Sequence, residues 1–451
     1  MTIFWLQLAL VLGAILLGIR KGGVALGMIG GLGVAVLVFL FRAAPSEPPV
    51  AVMLIILAVV TASATLQVAG GLDYLVQIAE RLLRAHPRYV TLLAPLCTFA
   101  LTMCVGTGHA VYALLPVISD VAVRTRTRPE RPMAVSSVAA QMGITASPVA
   151  AAVTTFLGYS AKMGTPVTVF DILKITIPAG IVGVIAAALW SLKRGKELYE
   201  DPEFLARLED PSFKASLDVS VTTLGKELPR TAKLSVALFF GGVLLIVLLA
   251  LRDTAAAAGL PMPQLVPLVG GKPVPMTTVV QIVMLAFGAV ILFATKVKAA
   301  DVARSSVFSA GMVAVVSIFG IAWMSDTFVS ANKALLVSRI GELVQFAPWT
   351  FALAMFAVSA LVKSQAATLT VMIPFGMALK LPATLMLGLL PASYAYFFFA
   401  FYPSDIAAMN MDRTGTTRIG KYLLNHSFMI PGLIGVSVST VVSYALSKVA
   451  F

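Results

Sequence analysis

Charge is what this sequence has least of. Asp, Glu, Lys and Arg make up only 12% of its 451 residues, against roughly 25% in an ordinary soluble domain. With 59% hydrophobic residues and a mean hydropathy of +0.95, the chain reads as an integral membrane protein. Cysteine is nearly absent. Cys97 and Cys104 share one apolar segment, which argues against a disulfide framework or a thiolate metal site and leaves them as small buried hydrophobes. There are three histidines. His109 has no Glu or Cys at metal-ligand spacing, and His86 and His426 read as structural loop residues, so no metal is expected. No His-Glu-x-x-His motif occurs and no nucleophile stands beside a matching base, so a membrane enzyme is a poor reading. No nucleotide-binding Gly-x-x-x-x-Gly-Lys-Ser/Thr occurs either, so any transport would be driven by gradients. The net charge of +13 sits in short basic runs between apolar segments and forms no continuous stripe, which argues against nucleic acid as a partner.

What is present is a succession of apolar windows near the roughly 20 residues that cross a bilayer. Full spans are expected at 3–19, 22–41, 50–70, 133–157, 171–192, 233–251, 276–295, 305–328, 384–408 and 424–449, with both termini on one side. The first has no basic region before it and ends in Arg20 and Lys21, the reverse of a secretory signal, so it is expected to stay on the protein. Segments 89–120 and 347–380 are too long for one span and carry small polar residues at their middles. Each reads as a helical hairpin that enters the membrane and returns. Amphipathic stretches at 71–87 and 330–348 precede them and are expected along the interface. With the termini outside, the cytoplasmic loops collect 22 Lys and Arg against nine outside, as the positive-inside rule requires. The two hairpins then point in opposite directions, so the chain is expected to be an all-α polytopic membrane protein of two inverted repeats, each with a re-entrant hairpin and a broken transmembrane helix. The units are 1–192 (hairpin 89–120, broken helix 133–157), a cytoplasmic linker 193–231 read as solvated, and 232–451 (hairpin 347–380, broken helix 384–408).

Irregular backbone at membrane depth is tolerated only where protein or a wet cavity supports it, so the interruptions mark the candidate site. The first copy contains Gly106, Thr107, Gly108 and His109, then Ser136, Ser137, Gln141 and Ser147-Pro148. The second contains Lys363, Ser364 and Gln365, then Tyr394, Tyr396, Tyr402 and Pro403-Ser404-Asp405. Pro87, Pro116 and Pro148 match Pro348, Pro374 and Pro403 at offsets of 261, 258 and 255, and matched interruptions in two halves point to a transporter's binding site. Helices restarting near Thr107-Gly108, Pro148, Ser364-Gln365 and Pro403 would bring four positive helix ends together, a place suited to an anion. Lys363 is expected to pair with a substrate carboxylate, with hydroxyl and amide side chains donating to the rest. Asp405 either caps its half-helix or, with the carbonyl end at Gly106, contacts a coupling cation.

These residues resemble the anaerobic C4-dicarboxylate transporter (Dcu) family along essentially the whole chain. The matching stretches are Arg20-Lys-Gly-Gly-Val-Ala-Leu-Gly27, Thr61-Ala-Ser-Ala-Thr-Leu-Gln67, Gly106-Thr-Gly-His109, Arg128-Pro-Glu-Arg-Pro-Met133, Ser364-Gln-Ala-Ala367, Tyr402-Pro-Ser-Asp405, Asp412-Arg-Thr-Gly-Thr-Thr417 and Asn425-His-Ser427. The resemblance implies exchange of fumarate, succinate, malate or aspartate across a bacterial inner membrane; the termini placed outside by the charge count are then periplasmic, and Na+ or H+ is the candidate coupling ion for the carbonyl ends of the half-helices. It also implies kinship with a wider ion-transporter superfamily whose members tend to be dimers, each protomer with a scaffold domain and a mobile elevator-type transport domain. A homodimer and a membrane sensor kinase are the candidate partners. The chain departs from the family at the second hairpin, where Ala360 replaces a lysine and Lys363 an asparagine. The other class of function kept open is a membrane sensor or tether acting through a partner, with little transport of its own.

Overall fold

The computed structural model describes residues 2–21, 23–163, 167–218, 221–257, 266–270, 272–400, 402–420 and 424–451. The first half runs α1 (Thr2–Lys21), α2 (Ala25–Ala35, extended by a π turn Val36–Leu40), α3 (Val50–Val68), α4 (Gly71–Ala85), α5 (Val90–Val105), α6 (Leu115–Arg124), α7 (Glu130–Met142), α8 (Ala151–Ser160) and α9 (Val169–Ser191). Two short helices follow, α10 (Pro202–Leu208) and α11 (Pro211–Asp218). The second half runs α12 (Arg230–Ala257), α13 (Met276–Thr295), α14 (Ala299–Arg304), α15 (Ser306–Phe346), α16 (Thr350–Val362), α17 (Gln365–Ala378), α18 (Ala383–Gly388), α19 (Pro403–Met411) and α20 (Met429–Ala450).

Seven helices among the described residues are long and apolar enough to cross a membrane: Val50–Val68, Pro87–Val105, Val169–Ser191, Arg230–Leu249, Met276–Thr295, Ser306–Asn332 and Met429–Ala450. Shorter apolar helices cover Thr2–Gly18, Ala25–Leu40, Thr350–Val362 and Gln365–Ala378. The last two, at 13 and 14 residues, reach only about 20 Å each, too short to cross, and they pack against one another as a hairpin.

Local chemistry sets the breaks. α5 ends where Gly106 turns left-handed at φ 83, as a helix C-terminus prefers. α16 ends the same way on Lys363 at φ 56, an uncommon conformation for a side chain with a Cβ. α17 then starts on Ser364, whose hydroxyl accepts from the Ala367 amide at 3.3 Å. α19 starts with Pro403 in its first turn. α9 opens on a reciprocal cap in which Thr168 Oγ1 accepts from the Asp171 amide and Asp171 accepts from the Thr168 amide.

Three expectations are corrected. The first break does not restart at Pro148: α8 begins at Ala151, because Ser147 Oγ accepts from the Val149 amide at 3.3 Å and holds 147–150 as a turn. The 330–348 stretch is no separate interfacial helix, since α15 runs unbroken to Phe346. In the first half Gly70 at φ 84 separates α3 from α4; from Ile321 to Ile340, where the matching boundary would fall, there is no glycine or proline. The side chains of Lys333 and Arg339 lie outside the described residues, as does Lys421. Finally, the 193–231 linker, described except for 219–220, is not simply solvated. Leu198 and Phe204 are fully buried against Val123.

Packing brings distant helices together at small residues. α2 and α15 cross so closely that a Cβ on Gly320 would stand 1.7 Å from the Gly27 carbonyl oxygen. α9 and α20 cross at Gly183 and Gly435, where a Cβ on Gly183 would be 2.4 Å from the Gly435 oxygen. Such close crossings are how membrane helices associate without a hydrophobic drive.

Candidate functional site

Both hairpin turns face one cavity of about 590 Å³. Gly106, Thr107, Gly108 and His109 line it from the first hairpin, and Lys363, Ser364 and Gln365 from the second. Ala151, Tyr396, Tyr402 and Pro403 extend that wall, while Val60 and Ser63 of α3 and Val313, Ala314, Ser317 and Ile318 of α15 face it from across. Four helical segments therefore begin on the cavity, at Gly108, Ala151, Gln365 and Pro403. The α-helical ends at Ala151, Gln365 and Pro403 each carry a nominal half positive charge and the six-residue 3-10 turn from Gly108 a weaker one, and the half-buried Lys363 stands beside them. An anion fits this end of the cavity on electrostatic grounds.

The remaining expected site residues stand behind the wall rather than on it. Ser136, Ser137, Gln141, Ser147, Ser404, Asp405 and Tyr394 are all buried. Ser137 Oγ donates to Asp405 Oδ1 at 2.7 Å and lies 3.0 Å from Ser404 Oγ, whose hydroxyl it can accept from. Gln141 receives the Tyr396 hydroxyl on Oε1 at 2.9 Å, and its backbone carbonyl receives Gln365 Nε2 at 2.6 Å. This chain of bonds ties α7 of the first half to α17, Tyr396 and α19 of the second, across 255 residues for Gln141 and Tyr396. Buried networks of this kind fix geometry when they are satisfied. Gly108 closes over the network: a Cβ there would lie 2.4 Å from the Gln141 amide. Ser136 Oγ, Tyr394 hydroxyl, Gln365 Oε1 and Asp405 Oδ2 have no hydrogen-bond partner among the described residues. Ser147 serves the turn before α8. His109 bonds through Nδ1 with the Tyr112 hydroxyl at 3.2 Å and stacks on Tyr112 and Tyr402, an aromatic setting without metal-binding neighbours among the described residues.

The site also includes Ser63 and Ser317, which the interruption pattern did not single out because both sit inside unbroken helices. Ser63 Oγ is buried and has no hydrogen-bond partner among the described residues. The signal for Ser63 lay in the Thr61–Gln67 stretch already matched to the family; Ser317 carried none.

Away from the cavity an ionic cluster, buried around Arg128 and exposed at Glu197, Glu203 and Arg418, ties the linker to both halves. Arg128 donates to Glu130 at 2.8 Å and to Asp201, Arg131 to Glu197 at 2.9 Å, Arg207 to the Thr414 carbonyl at 2.6 Å and Arg418 to Glu203. Burial pushes the Asp201 carboxyl up, but Arg128 and the Glu203 and Phe204 amides outweigh it and hold Asp201 below the usual carboxylate range. Glu80 on α4 is likewise raised by burial and lowered further by Thr222, Thr223 and Arg84, ending low. Burial chiefly, together with the nearby Arg194, pushes His426 below the usual imidazole range, while its Nε2 contact with the Phe398 carbonyl, at 3.1 Å, opposes the shift. His426 also accepts from the Phe428 amide on Nδ1, so it serves the structure.

The model of a family described as anaerobic C4-dicarboxylate membrane transporter matches residues 3–451. The anaerobic C4-dicarboxylate transporter DcuB of Escherichia coli O157:H7 is 44% identical over 443 residues, covering 97% of each chain. The C4-dicarboxylate transporter DcuA of Wolinella succinogenes is 36% identical, covering 98% of this chain and 99% of its own. Among solved structures the Alcanivorax borkumensis YdaH transporter aligns with a TM-score of 0.51 at 15% identity, over 88% of this chain and 84% of that one, a likeness of fold. The relatives are transporters by name, and the reading as a non-enzyme agrees with them. By the match of its whole length, the chain belongs to the anaerobic C4-dicarboxylate membrane transporter family.

Proposed function

We propose that the protein exchanges C4-dicarboxylates (fumarate, succinate, malate or aspartate) across the bacterial inner membrane. The observation that carries this reading is the cavity onto which four helix N-termini and Lys363 converge. A dianion entering low dielectric needs compensating positive charge fixed in place, and helix ends with one ammonium supply it. Thr107 and Ser364 are placed to donate to its oxygens, while Gln365, whose Nε2 donates to the Gln141 carbonyl and the Tyr396 hydroxyl, holds the wall with Ser137, Gln141 and Asp405. Oδ2 of Asp405, with no hydrogen-bond partner among the described residues, and the carbonyl end at Gly106 are the groups that would meet a coupling Na+ or H+.

In this reading the halves are inverted repeats. The hairpins with α7, α8, α18 and α19 form the transport unit, and the scaffold includes α1, α2, α3 and α15. The unit moves as an elevator in a homodimer with both termini periplasmic. The cavity reaches Gly18 and Gly23 at the α1–α2 turn, beside Arg20 and Lys21, so it opens to the cytoplasm. A membrane sensor kinase is the candidate protein partner, through the linker. Sensing or tethering alone is not favoured, because the family is one of transporters. Counterflow of labelled succinate into proteoliposomes preloaded with unlabelled succinate tests the proposal: uptake above the level of empty liposomes is expected, and none would reject it.

A further inference from the structure

α15 carries a carboxyl where a membrane helix rarely has one. Asp326 lies eight residues beyond Ile318, the last α15 residue on the cavity, or about 12 Å further along the axis. An ionisable group at such a place is expensive and marks function by default. Its Oδ2 accepts from the Tyr159 hydroxyl of α8 at 3.3 Å, while Oδ1 is enclosed and has no hydrogen-bond partner among the described residues. Tyr159 is itself buried. The contact joins the helix that starts on the substrate cavity to the helix that faces it.

Among the described residues the charged and titratable surroundings are sparse, and Lys333, two turns on along α15, has its side chain outside them. α8 contributes Tyr159, and the exposed Lys162 follows in the next turn. Glu47 lies with Tyr159 and Lys162 around a small cavity of about 380 Å³. α2, α3 and α17, which pack against α15, carry no charged or titratable side chain. On α1 and α14 the charges, Arg20, Lys21, Asp301 and Arg304, stand at the other end of α15. One residue on, Thr327 Oγ1 receives the Ser46 amide and gives its own proton to the Trp323 carbonyl, so it offers Asp326 nothing. Closed in this way, an ionised Asp326 would keep an unpaired charge with one long hydrogen bond, whereas the neutral acid would leave one polar group unmet, a far smaller penalty.

We propose that Asp326 is a proton-binding site on the outer side of the scaffold, and that its protonated form is the one over which Tyr159 and α8 close. This rests on the elevator reading above. When the transport unit moves, Tyr159 leaves, Asp326 meets outer solvent and the proton returns there. The proton is taken from and given back to one side, so it biases the inward- and outward-facing states and is not a co-transported ion. Acid outside favours the closed outer face.

The test uses the full-length protein in proteoliposomes with the internal pH clamped. Val52, covered by Gly158 of α8, is replaced by cysteine, and labelling by an impermeant maleimide added outside is compared with the same protein lacking that cysteine. Raising external pH from about 5.5 to about 8 should increase labelling about threefold or more after correction for intrinsic thiol reactivity. Asp326→Asn, neutral throughout, should stay protected at both values, and Asp326→Glu should respond as the parent does. Labelling of Asp326→Asn that follows the parent's external-pH response, or a parent response that follows internal pH, would overturn the proposal. If Asp326→Asn does not fold, a parent or Asp326→Glu protein without any external-pH response still overturns it. Absence of succinate counterflow in the parent at every pH would instead reject the exchange function and leave the labelling result readable.

Discussion

Lys363 combines two properties that single substitutions can separate. It terminates α16 in the left-handed region, and it brings an ammonium to the cavity beside the α17 N-terminus. Asparagine tolerates that backbone better than most residues, so Lys363→Asn removes the charge and keeps the turn. Lys363→Met removes the charge at similar volume. Both should weaken succinate binding by about 2 kcal/mol, roughly thirtyfold in Kd, measured by isothermal titration in detergent, and parental affinity in both would remove the lysine from the ligand set. Gly108 tests the layer behind. A Cβ there would collide with the Gln141 amide, so Gly108→Ala should slow exchange at least about tenfold by displacing Gln141 and its bonds to Tyr396 and Ser404. A melting temperature close to the parent's would separate this from misfolding, and unaltered exchange would mean that the network does not shape the site. Residues at breaks, such as Thr107 and Gln365, were legible because polarity amid apolar sequence has a cost that needs a cause. Which of them touch the cavity was not legible, since Ser137 and Gln141 look no different in sequence from Ser364 and Gln365 and differ only in which way the packed helices turn them.

Among the helices, the breaks at Gly106, Ser364 and Pro403 could be read because glycine, capping serine and proline act locally. The unbroken run of α15 and the docking of the linker could not, because each depends on partners far along the chain. α15 is held where Gly27 and Gly320 let two backbones touch. Gly320→Ala should destabilise the protein by roughly 1–3 kcal/mol, seen as a lower midpoint in thermal unfolding in detergent; an unchanged midpoint would show that the crossing has slack. The linker is held by carboxylates whose pKa values lie below the ordinary range, Asp201 and Glu80. A group depressed in this way adds stability that is fully present above its unfolded value near about 4 and is lost as pH falls through its folded value. Docking should therefore hold at neutral pH and fail below about pH 4. A fluorophore at exposed Glu209 should lose anisotropy in that window, and Asp201→Asn should show the loss already at neutral pH. Constant anisotropy down to about pH 3 in the parent would mean that burial of Leu198 and Phe204 suffices without the ion pairs.

At the scale of the whole molecule, the elevator reading requires the outer end of α8 to slide past α3. The two are in contact there: an ideal Cβ on Gly158 would sit 3.7 Å from the Val52 Cβ, within the range a disulfide spans. The paired substitution Val52→Cys and Gly158→Cys should therefore cross-link readily under oxidation and fix α8 to α3. If the transport unit carries substrate by moving against the scaffold, exchange should fall to the liposome background on oxidation and recover on reduction. Substrate binding measured from the cytoplasmic side should survive, because the cavity lined by Gly18 and Gly23 is left open. Retained binding with lost exchange is what distinguishes a blocked movement from a damaged site. Should the oxidised protein exchange succinate at the parental rate, α3 and α8 belong to one rigid body, and alternating access would have to arise within the hairpins themselves.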